Sequence, residues 1–352
     1  MQKQSIQRCL ANNLYVAYGF VILFCFVALI VSIGRGSVEL PFLTVIQILA
    51  IEVFHIPLDV VIDPMYVNIV MEIRFPRALL AMFVGASLAL AGAAFQGFLK
   101  NPLADPYTLG VSSGAAVGAV AVIFFSITIP FLGRFTLPVI SIVTGFTTLF
   151  LVISFARVVQ RSMSAETIIL AGIIFSSFLG AFISLMVALT GEELRQIIGW
   201  LMGSVAMRGW PYIWMITPFF FIGFLLLFFN RKELNALAFG EETARQLGVN
   251  IARRKIMILL GATMLTGGAV AVSGTVGFVG LVIPHLTRLM WGSDHRHLLP
   301  LSMFLGAGFL ALTDLVARTL IAPTELPIGV ITAIIGAPVF GLILVRQRRL
   351  KS

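Results

Sequence analysis

Histidine is the residue type in this sequence best suited to metal binding, and three of the four histidines lie close together. His285 follows an apolar run, and His295 and His297 stand in the next polar turn beside Asp294 and Arg296. Imidazoles near a carboxylate can form a zinc site. Arg296 separates two of the histidines, however, and Asp294 is the only nearby acid. We therefore predict a hydrogen-bonded turn here and no metal site.

Other residue patterns that carry out chemistry are missing from the sequence. It contains no Ser/His/Asp or Cys/His arrangement. None of its five lysines follows a glycine, which excludes a phosphate-binding loop of the form G-x-x-x-x-G-K-[ST]. Asp314 and Arg318 come nearest to a proton relay, and their spacing of four residues favours an ion pair that faces neighbouring helices. We predict a protein that is not an enzyme, has no cofactor and draws energy from another polypeptide.

The elements that position these residues are apolar segments long enough to cross a membrane. The sequence is 59% hydrophobic and only 11% charged, whereas soluble domains are usually about a quarter charged. We predict an all-α polytopic membrane protein with about ten transmembrane helices. Two further apolar stretches, 40–54 and 194–207, contain charged residues and are predicted to lie along the membrane surface. The predicted spans are residues 14–33, 78–99, 108–129, 137–158, 166–190, 210–229, 256–273, 277–290, 298–321 and 329–345.

The distribution of Lys and Arg predicts the orientation. An even number of spans places both termini on one side, and assigning that side to the cytoplasm leaves seventeen of the 24 basic residues inside. This bias agrees with the positive-inside rule, so we expect both termini in the cytoplasm. The first span lacks a small-residue cleavage site and is predicted to be retained. Cys9 and Cys25, at and within that span, indicate neither a disulfide nor a metal site.

Residues 233–250 form the longest polar stretch on the predicted cytoplasmic side. Glycines mark both ends of a short predicted helix, acids occupy its first turn, and Ala244 and Leu247 are expected to share one face. Such a helix can dock on a partner protein, lie on lipid or remain a solvated loop, and its spacing alone does not choose among these. The residues concerned are Leu237, Phe239, Gly240, Glu241, Glu242, Ala244, Leu247 and Gly248.

Small residues recur every four positions in the span before residue 100, and they form a surface on which another helix can lie closely. This stripe consists of Gly85, Ala89, Ala93 and Gly97. The following segment, 101–106, contains two prolines and is predicted to break the helix at a membrane boundary. Further along, glycines at 274, 277 and 280 predict bent backbone beside a cavity.

Several motifs along the chain together resemble one family. They are Arg74-Phe-Pro-Arg77, Gly92 to Gln96, Asn101 to Pro106 with Leu109-Gly110, residues 237–248, Gly277 to Gly280 with Pro284-His285, Asp294 to Arg296, and Glu325 to Gly329. In this order they resemble the FecCD-type permease subunits of ABC importers for ferric siderophores, haem and cobalamin. The likeness extends from residue 66 to residue 350, and no function is assigned to residues 1–65.

The resemblance implies a single transmembrane permease domain, residues 1–352, with the ten-helix fold of type II ABC importers. It also implies a second permease subunit, identical or different, two ATP-binding subunits and a solute-binding protein. Residues 233–250 are expected to dock on an ATP-binding subunit. The residues expected to pair with glutamates of the binding protein are Arg74, Arg77 and Arg318. The residues expected in the cytoplasmic gate are Asn101, Leu103, Ser164 and Glu166.

The function implied by the resemblance is ATP-driven import of a metal chelate, first of all a ferric siderophore, across the cytoplasmic (inner) membrane of a prokaryote. Haem and cobalamin are alternatives within the family, and the sequence does not distinguish them. A gradient-driven secondary transporter is the alternative from a different class, although the scarcity of charge in the spans disfavours it. The expected contacts are membrane lipid and the other subunits, without nucleic acid.

Overall fold

A computed structural model of the protein describes residues 14–36, 38, 40–161 and 164–349. Cys9 lies outside these residues. Within them, regular structure is helical apart from one isolated bridge between Ile321 and Thr324. The helices are α1 (Leu14–Gly34), α2 (Phe42–Glu52), α3 (Pro64–Phe98), α4 (Val111–Phe124), α5 (Thr136–Val159), α6 (Ala165–Leu189), α7 (Leu194–Leu201), α8 (Trp210–Phe229), α9 (Arg231–Ala238), α10 (Glu241–Gln246), α11 (Ile251–Ser273), α12 (Val279–Trp291), α13 (His295–Thr319) and α14 (Ile328–Arg349), with 3-10 turns at Pro106–Leu109 and Gly133–Phe135.

Each of the ten predicted spans overlaps a helix, although the ends differ. Seven of the described helices are long and apolar enough to cross a membrane, namely α1, α3, α5, α6, α8, α11 and α13. The shorter helices α4, α12 and α14 occupy the other three predicted spans. The two stretches predicted to lie along the membrane surface form only α2 and α7, which have 11 and 8 residues and are too short to cross.

The second span begins earlier than predicted. α3 starts after Asp63, whose side chain caps the first turn, and continues through a π-helical segment, Ile69–Arg74, to Phe98. The predicted span, 78–99, left Arg74 and Arg77 outside the helix. In the structure both arginines lie within the helix and have polar partners.

Small residues bring the central helices into close contact. α3 packs along α13, and a Cβ atom at Gly85 would overlap the carbonyl of Gly306. Gly306 also lies against Ala89, and a Cβ atom at Gly97 would overlap the ring of His295. The predicted small-residue stripe is confirmed as a helix-packing surface.

The backbone between α11 and α12 is bent, as its glycines predicted. Gly274 and Phe278 have φ angles of +70° and +68°. The Tyr107 hydroxyl donates to the Val276 carbonyl at 2.9 Å and accepts from the Val276 N–H at 2.8 Å, so this irregular backbone has polar partners within the bundle. A cavity of about 410 Å³ lies beside it, lined in part by Thr275.

Candidate functional site

Charged residues collect at one end of the bundle, where α3, α13 and the α13–α14 loop meet. Arg77 donates from Nε to both oxygens of Asp314 at 3.1 and 3.0 Å, and from Nη2 to Asp314 Oδ1 at 3.0 Å. Its Nη1 and Nη2 donate to the two oxygens of Glu325 at 2.8 and 3.1 Å. A planar guanidinium favours such two-point contacts with carboxylates. We call Arg74, Arg77, Asp314, Arg318 and Glu325 the arginine cluster.

The other two arginines of the cluster bind the end of α1. Arg74 donates to the carbonyls of Ile33 and Gly34 at 3.2 and 3.3 Å. Arg318 donates to the Ser32 carbonyl and, at 3.0 Å, to the Ser32 hydroxyl. The last carbonyls of a helix lack partners within the helix and carry partial negative charge. Both arginines therefore fasten α1 to the bundle.

Asp314 and Arg318 form the predicted ion pair. Arg318 Nε lies 3.7 Å from Asp314 Oδ2, and the Asp314 side chain is fully buried. Arg77 shares this carboxylate at 3.0 Å, a contact that no sequence pattern indicated. Three arginines and two carboxylates leave the cluster with an excess of positive charge, beside a pocket of about 180 Å³.

The structure separates the three arginines that the sequence analysis treated alike. Arg74 and Arg318 are almost fully buried. Arg77 is also largely enclosed, but its partner Glu325 keeps 43% of its side chain exposed. A protein approaching this end would meet Glu325 and the adjacent edge of Arg77 first. The docking role of the three arginines stays a prediction.

The opposite end of the bundle carries α9 and α10, which contain most of the predicted docking segment, residues 233–250. Gly240, with φ of +123°, is the N-cap of α10, whose first turn is acidic. Gly248 has φ of +80° and donates to the Arg245 carbonyl at 3.0 Å, and the next N–H donates to the Ala244 carbonyl at 3.0 Å. This is a Schellman cap. The predicted short helix and its two glycine boundaries are confirmed.

The apolar side chains of this segment point in two directions. Leu237 and Ala244 are buried against the bundle, whereas Phe239 and Leu247 are 79% and 67% exposed. The prediction that Ala244 and Leu247 share one face is therefore wrong. The helical period does not extend that far, because α10 ends at Gln246 and Leu247 is already its C-cap.

The two acids at the start of α10 also differ. Glu241 Oε1 lies 2.7 Å from the Nζ atom of Lys255, which is buried in α11. Glu233 in α9 pairs with Arg254 at 3.2 Å. These two ion pairs hold the segment on α11, while Glu242 stays exposed and accessible to a partner.

Asn235 on α9 joins the segment to the histidine-rich turn before α13. Its amide donates to Asp294 Oδ1 at 2.6 Å, and its oxygen accepts from the His295 N–H at 2.9 Å. Burial raises the pKa of Asp294, but donors from the Arg296 backbone and from Asn235 outweigh it and hold that pKa below its ordinary value. The turn is hydrogen-bonded, as predicted, although no sequence pattern singled out Asn235. Among the residues that the structure describes, no three His, Cys, Asp or Glu are grouped to hold a metal ion.

The residues predicted as a gate lie in two turns at the same end as α10. After α3, Asn101 Oδ1 accepts from the Leu103 N–H at 2.9 Å, and the Leu103 side chain is exposed. Before α6, Ser164 caps the helix by accepting from the Thr167 N–H at 3.2 Å, and Glu166 is exposed. Each turn is ordered by its own hydrogen bonds, and the gating role stays a prediction.

A cavity of about 810 Å³ lies between the first of these turns, α9 and the α12–α13 turn. Its wall includes Lys100 and Pro102 from the turn, Phe239 from the α9–α10 segment, and Arg288 from α12. Arg288 donates to Gln96 Oε1 at 3.1 Å. The predicted gate turn and the predicted docking segment therefore border one open space.

The chain is similar to permease proteins of several transport systems. The FecCD transport family matches residues 23–346. The chain is 56% identical over 351 residues to the uncharacterized ABC transporter permease protein YvrB of Bacillus subtilis, covering 99% of both. It is 42% identical to the cobalamin import system permease protein BtuC of Halobacterium salinarum, over 81% of this chain and 75% of that protein. It is 38% identical to the molybdate import system permease protein MolB of Haemophilus influenzae, over 95% and 96%.

A solved structure has the same fold. It matches with a TM-score of 0.81 at 35% sequence identity, covering 94% of this chain and 99% of the other. That structure is described as an inward-facing conformation of an ABC transporter assigned provisionally to the metal-chelate type. The predicted all-α polytopic membrane fold of a type II importer permease is confirmed.

Proposed function

The chain belongs to the FecCD transport family of ABC importer permeases, and from this premise we propose that it imports a metal chelate, first of all a ferric siderophore. As a permease it works with ATP-hydrolysing and solute-binding partners and has no ATPase site of its own. Support for a metal chelate comes from the similar structure assigned to the metal-chelate type. Two relatives are named for cobalamin and for molybdate, and the structural relative supports the class of metal chelates as a whole.

Competition between substrates in one transport assay tests this proposal. The permease is reconstituted with its ATP-binding subunits and its solute-binding protein, and uptake of a labelled ferric siderophore is measured. We expect strong competition from other ferric siderophores and little from haemin, cobalamin or molybdate. Cobalamin is the second candidate because of the 42% identical cobalamin permease, and strong competition by cobalamin would replace the siderophore assignment.

We assign the energy source to the ATP-binding subunits. A gradient-driven carrier uses ionisable groups inside its spans to bind the coupling ion. Asp314 and Arg318 are the candidates here, and they are held by Arg77 and by the end of α1. The gradient-driven alternative also has no support in a chain of this family.

We propose α9 and α10 as the docking surface for an ATP-binding subunit. Phe239 and Leu247 are large, apolar and uncovered, and Glu242 stands beside them. Uncovered apolar side chains with a charged rim are typical of protein interfaces. Ala244 is buried and Glu241 pairs with Lys255, so both residues hold the docking surface on the permease. Each permease offers one such surface, so two permeases would hold two ATP-binding subunits.

A second permease subunit is proposed to pack on α6. Most of the apolar surface of α6 is uncovered in the single chain. On it, Ser177, Gly180 and Ser184 recur at intervals of three and four residues, and nothing lies within 4 Å of the Cβ position at Gly180. Small and hydroxyl residues at this spacing are typical of helix–helix contacts in membranes. The second subunit would border the transport passage together with α6.

We place the chain in the cytoplasmic membrane of a prokaryote, with both termini and α10 in the cytoplasm. The excess of basic residues at the α10 end supports this orientation. The arginine cluster then faces the solute-binding protein. Arg74 and Arg318 are buried, whereas Arg77 pairs with the exposed Glu325. The edge of Arg77 next to Glu325 is therefore the proposed contact for an acidic side chain of that protein.

Cysteine labelling tests this orientation. In a background with Cys9 and Cys25 replaced by Ser, Phe239→Cys should react with a membrane-impermeant maleimide only from the cytoplasmic side. Reaction in intact cells would reverse the assignment of both ends.

The gate proposal places Asn101, Leu103, Ser164 and Glu166 at the cytoplasmic mouth. Support comes from their two turns, which lie at the α10 end, and from the exposed apolar side chain of Leu103. Shortening that side chain with Leu103→Ala should raise ATP-independent leakage of substrate from loaded vesicles. Unchanged leakage would remove Leu103 from the gate.

A further inference from the structure

We propose that Glu325 occupies the docking edge of Arg77 and gives way to an acidic side chain of the solute-binding protein. The inference rests on the proposed docking of that protein at the arginine cluster. It adds a mechanism of exchange, in which the permease supplies its own carboxylate until the partner replaces it.

The two carboxylates on Arg77 differ in how firmly they are held. Asp314 is fully buried and also lies 3.7 Å from Arg318. Glu325 binds Nη1 and Nη2 at 2.8 and 3.1 Å, with 43% of its side chain exposed. An exposed ion pair contributes little net stability, because water competes for both groups. Asp314 is therefore the fixed partner of Arg77, and Glu325 is the exchangeable one.

The surroundings of Arg77 attract a carboxylate and leave room for one. The pocket of about 180 Å³ is lined by all three arginines of the cluster and also by Gly36 and Pro323. The arginines outnumber the carboxylates, so the local field favours an acidic group. The pocket is several times larger than the share of volume of a water molecule, about 30 Å³, so an incoming carboxylate fits.

The loop around Glu325 allows the side chain to leave while the backbone stays in place. The Leu326 N–H donates to the Ala317 carbonyl at 2.9 Å, and the Ile328 N–H donates to the Gly203 carbonyl at 3.0 Å. These bonds hold the loop directly after Glu325, so exchange requires only side-chain rotation. Departure of Glu325 also removes a direct bond between α3 and the α13–α14 loop, and docking would loosen that contact.

Glu325→Gln tests the exchange through the sign of its effect on docking. The assembled transporter is placed in nanodiscs, and the affinity of its purified solute-binding protein is measured at low and physiological salt. Exchange predicts binding about two- to fivefold tighter at low salt, the factor expected from releasing one exposed ion pair. Weaker or unchanged binding would mean that Glu325 positions Arg77 for its partner, and would overturn the inference.

Two further variants separate the possible causes. Glu72→Gln removes the same charge from an exposed position on α3 that lies outside the arginine cluster, and equal tightening in both variants would overturn the exchange. Arg77→Gln combined with Asp314→Asn removes the docking arginine together with its buried partner. Wild-type affinity in that variant would overturn the proposed docking site itself. Loss of docking there, without a gain in Glu325→Gln, would overturn only the exchange.

Discussion

Replacing Asn235 with Ala should uncouple ATP hydrolysis from docking of the solute-binding protein. Asn235 connects α9, part of the proposed ATPase docking surface, to the first turn of α13. The substitution removes a donor to Asp294 at 2.6 Å and an acceptor for the His295 N–H at 2.9 Å. A hydrogen bond to a charged group is worth about 1.5–3 kcal/mol and a neutral one about 1 kcal/mol. Because the bond to Asp294 is exposed to water, we expect a loss at the low end, about 2 kcal/mol.

A loss of this size would shift the equilibrium between α9 bound to the start of α13 and α9 released from it by roughly 30-fold. The assay is ATP hydrolysis by the reconstituted complex, with and without the solute-binding protein. In Asn235→Ala, basal hydrolysis and co-purification of the ATP-binding subunits should change little, because Phe239 and Leu247 remain in place. Stimulation by the solute-binding protein should fall severalfold, because Asn235 would no longer link α9 to α13.

Asn250→Ala is the matched control for this experiment. Asn250 lies at the end of the same segment and caps α11 by accepting from the Arg253 N–H at 3.2 Å. Its loss should cost about 1 kcal/mol of helix stability without disturbing α13. Stimulation should therefore persist in this variant. The reasoning is refuted if Asn235→Ala lowers basal and stimulated hydrolysis by the same factor, or if Asn250→Ala loses stimulation equally.

Three other substitutions test separate contacts. Leu247→Glu places a charge on the uncovered apolar surface and should abolish co-purification of the ATP-binding subunits without lowering the unfolding temperature of the permease; a lower unfolding temperature would show that Leu247 packs internally. Asp314→Asn leaves Arg77 without its buried partner and should reduce stability by about 3–5 kcal/mol in thermal unfolding, and an unchanged midpoint would contradict the described geometry. Gly85→Leu forces a side chain into the α13 backbone and should prevent recovery of monodisperse protein, so a well-folded variant would contradict the α3–α13 packing.

The helices and some of their ends were predictable because the physical rules involved are local. An apolar segment that must cross a membrane has a minimum length, and that rule located the seven helices that are long and apolar enough to cross. The ends of α10 followed from Gly240 and Gly248, since both need positive φ angles that other residues disfavour. The predicted direction of the Leu247 side chain was wrong because Leu247 follows the end of α10, where side chains no longer repeat with the helical period.

Contacts between distant parts of the chain had no such local signal. Glu325 lies 248 positions from Arg77, and Asn235 lies 59 positions from Asp294. Residue pairs this far apart follow no helical or strand period, so no pattern of residue types indicates that they are in contact. The burial of Arg74 was missed for the same reason, since it depends on where the end of α1 packs.

α13 contacts both proposed docking surfaces, so both partners can act on the same helix. Asn235 binds its first residue, and Asp314, about 30 Å further along at 1.5 Å per residue, holds Arg77. If α13 transmits docking to the ATP-binding subunits, Asn235→Ala and Glu325→Gln should not act additively on ATP hydrolysis. Tighter docking in Glu325→Gln should raise stimulated hydrolysis at limiting binding protein, and Asn235→Ala should cancel that gain. Additive effects would mean that the signal travels through other helices.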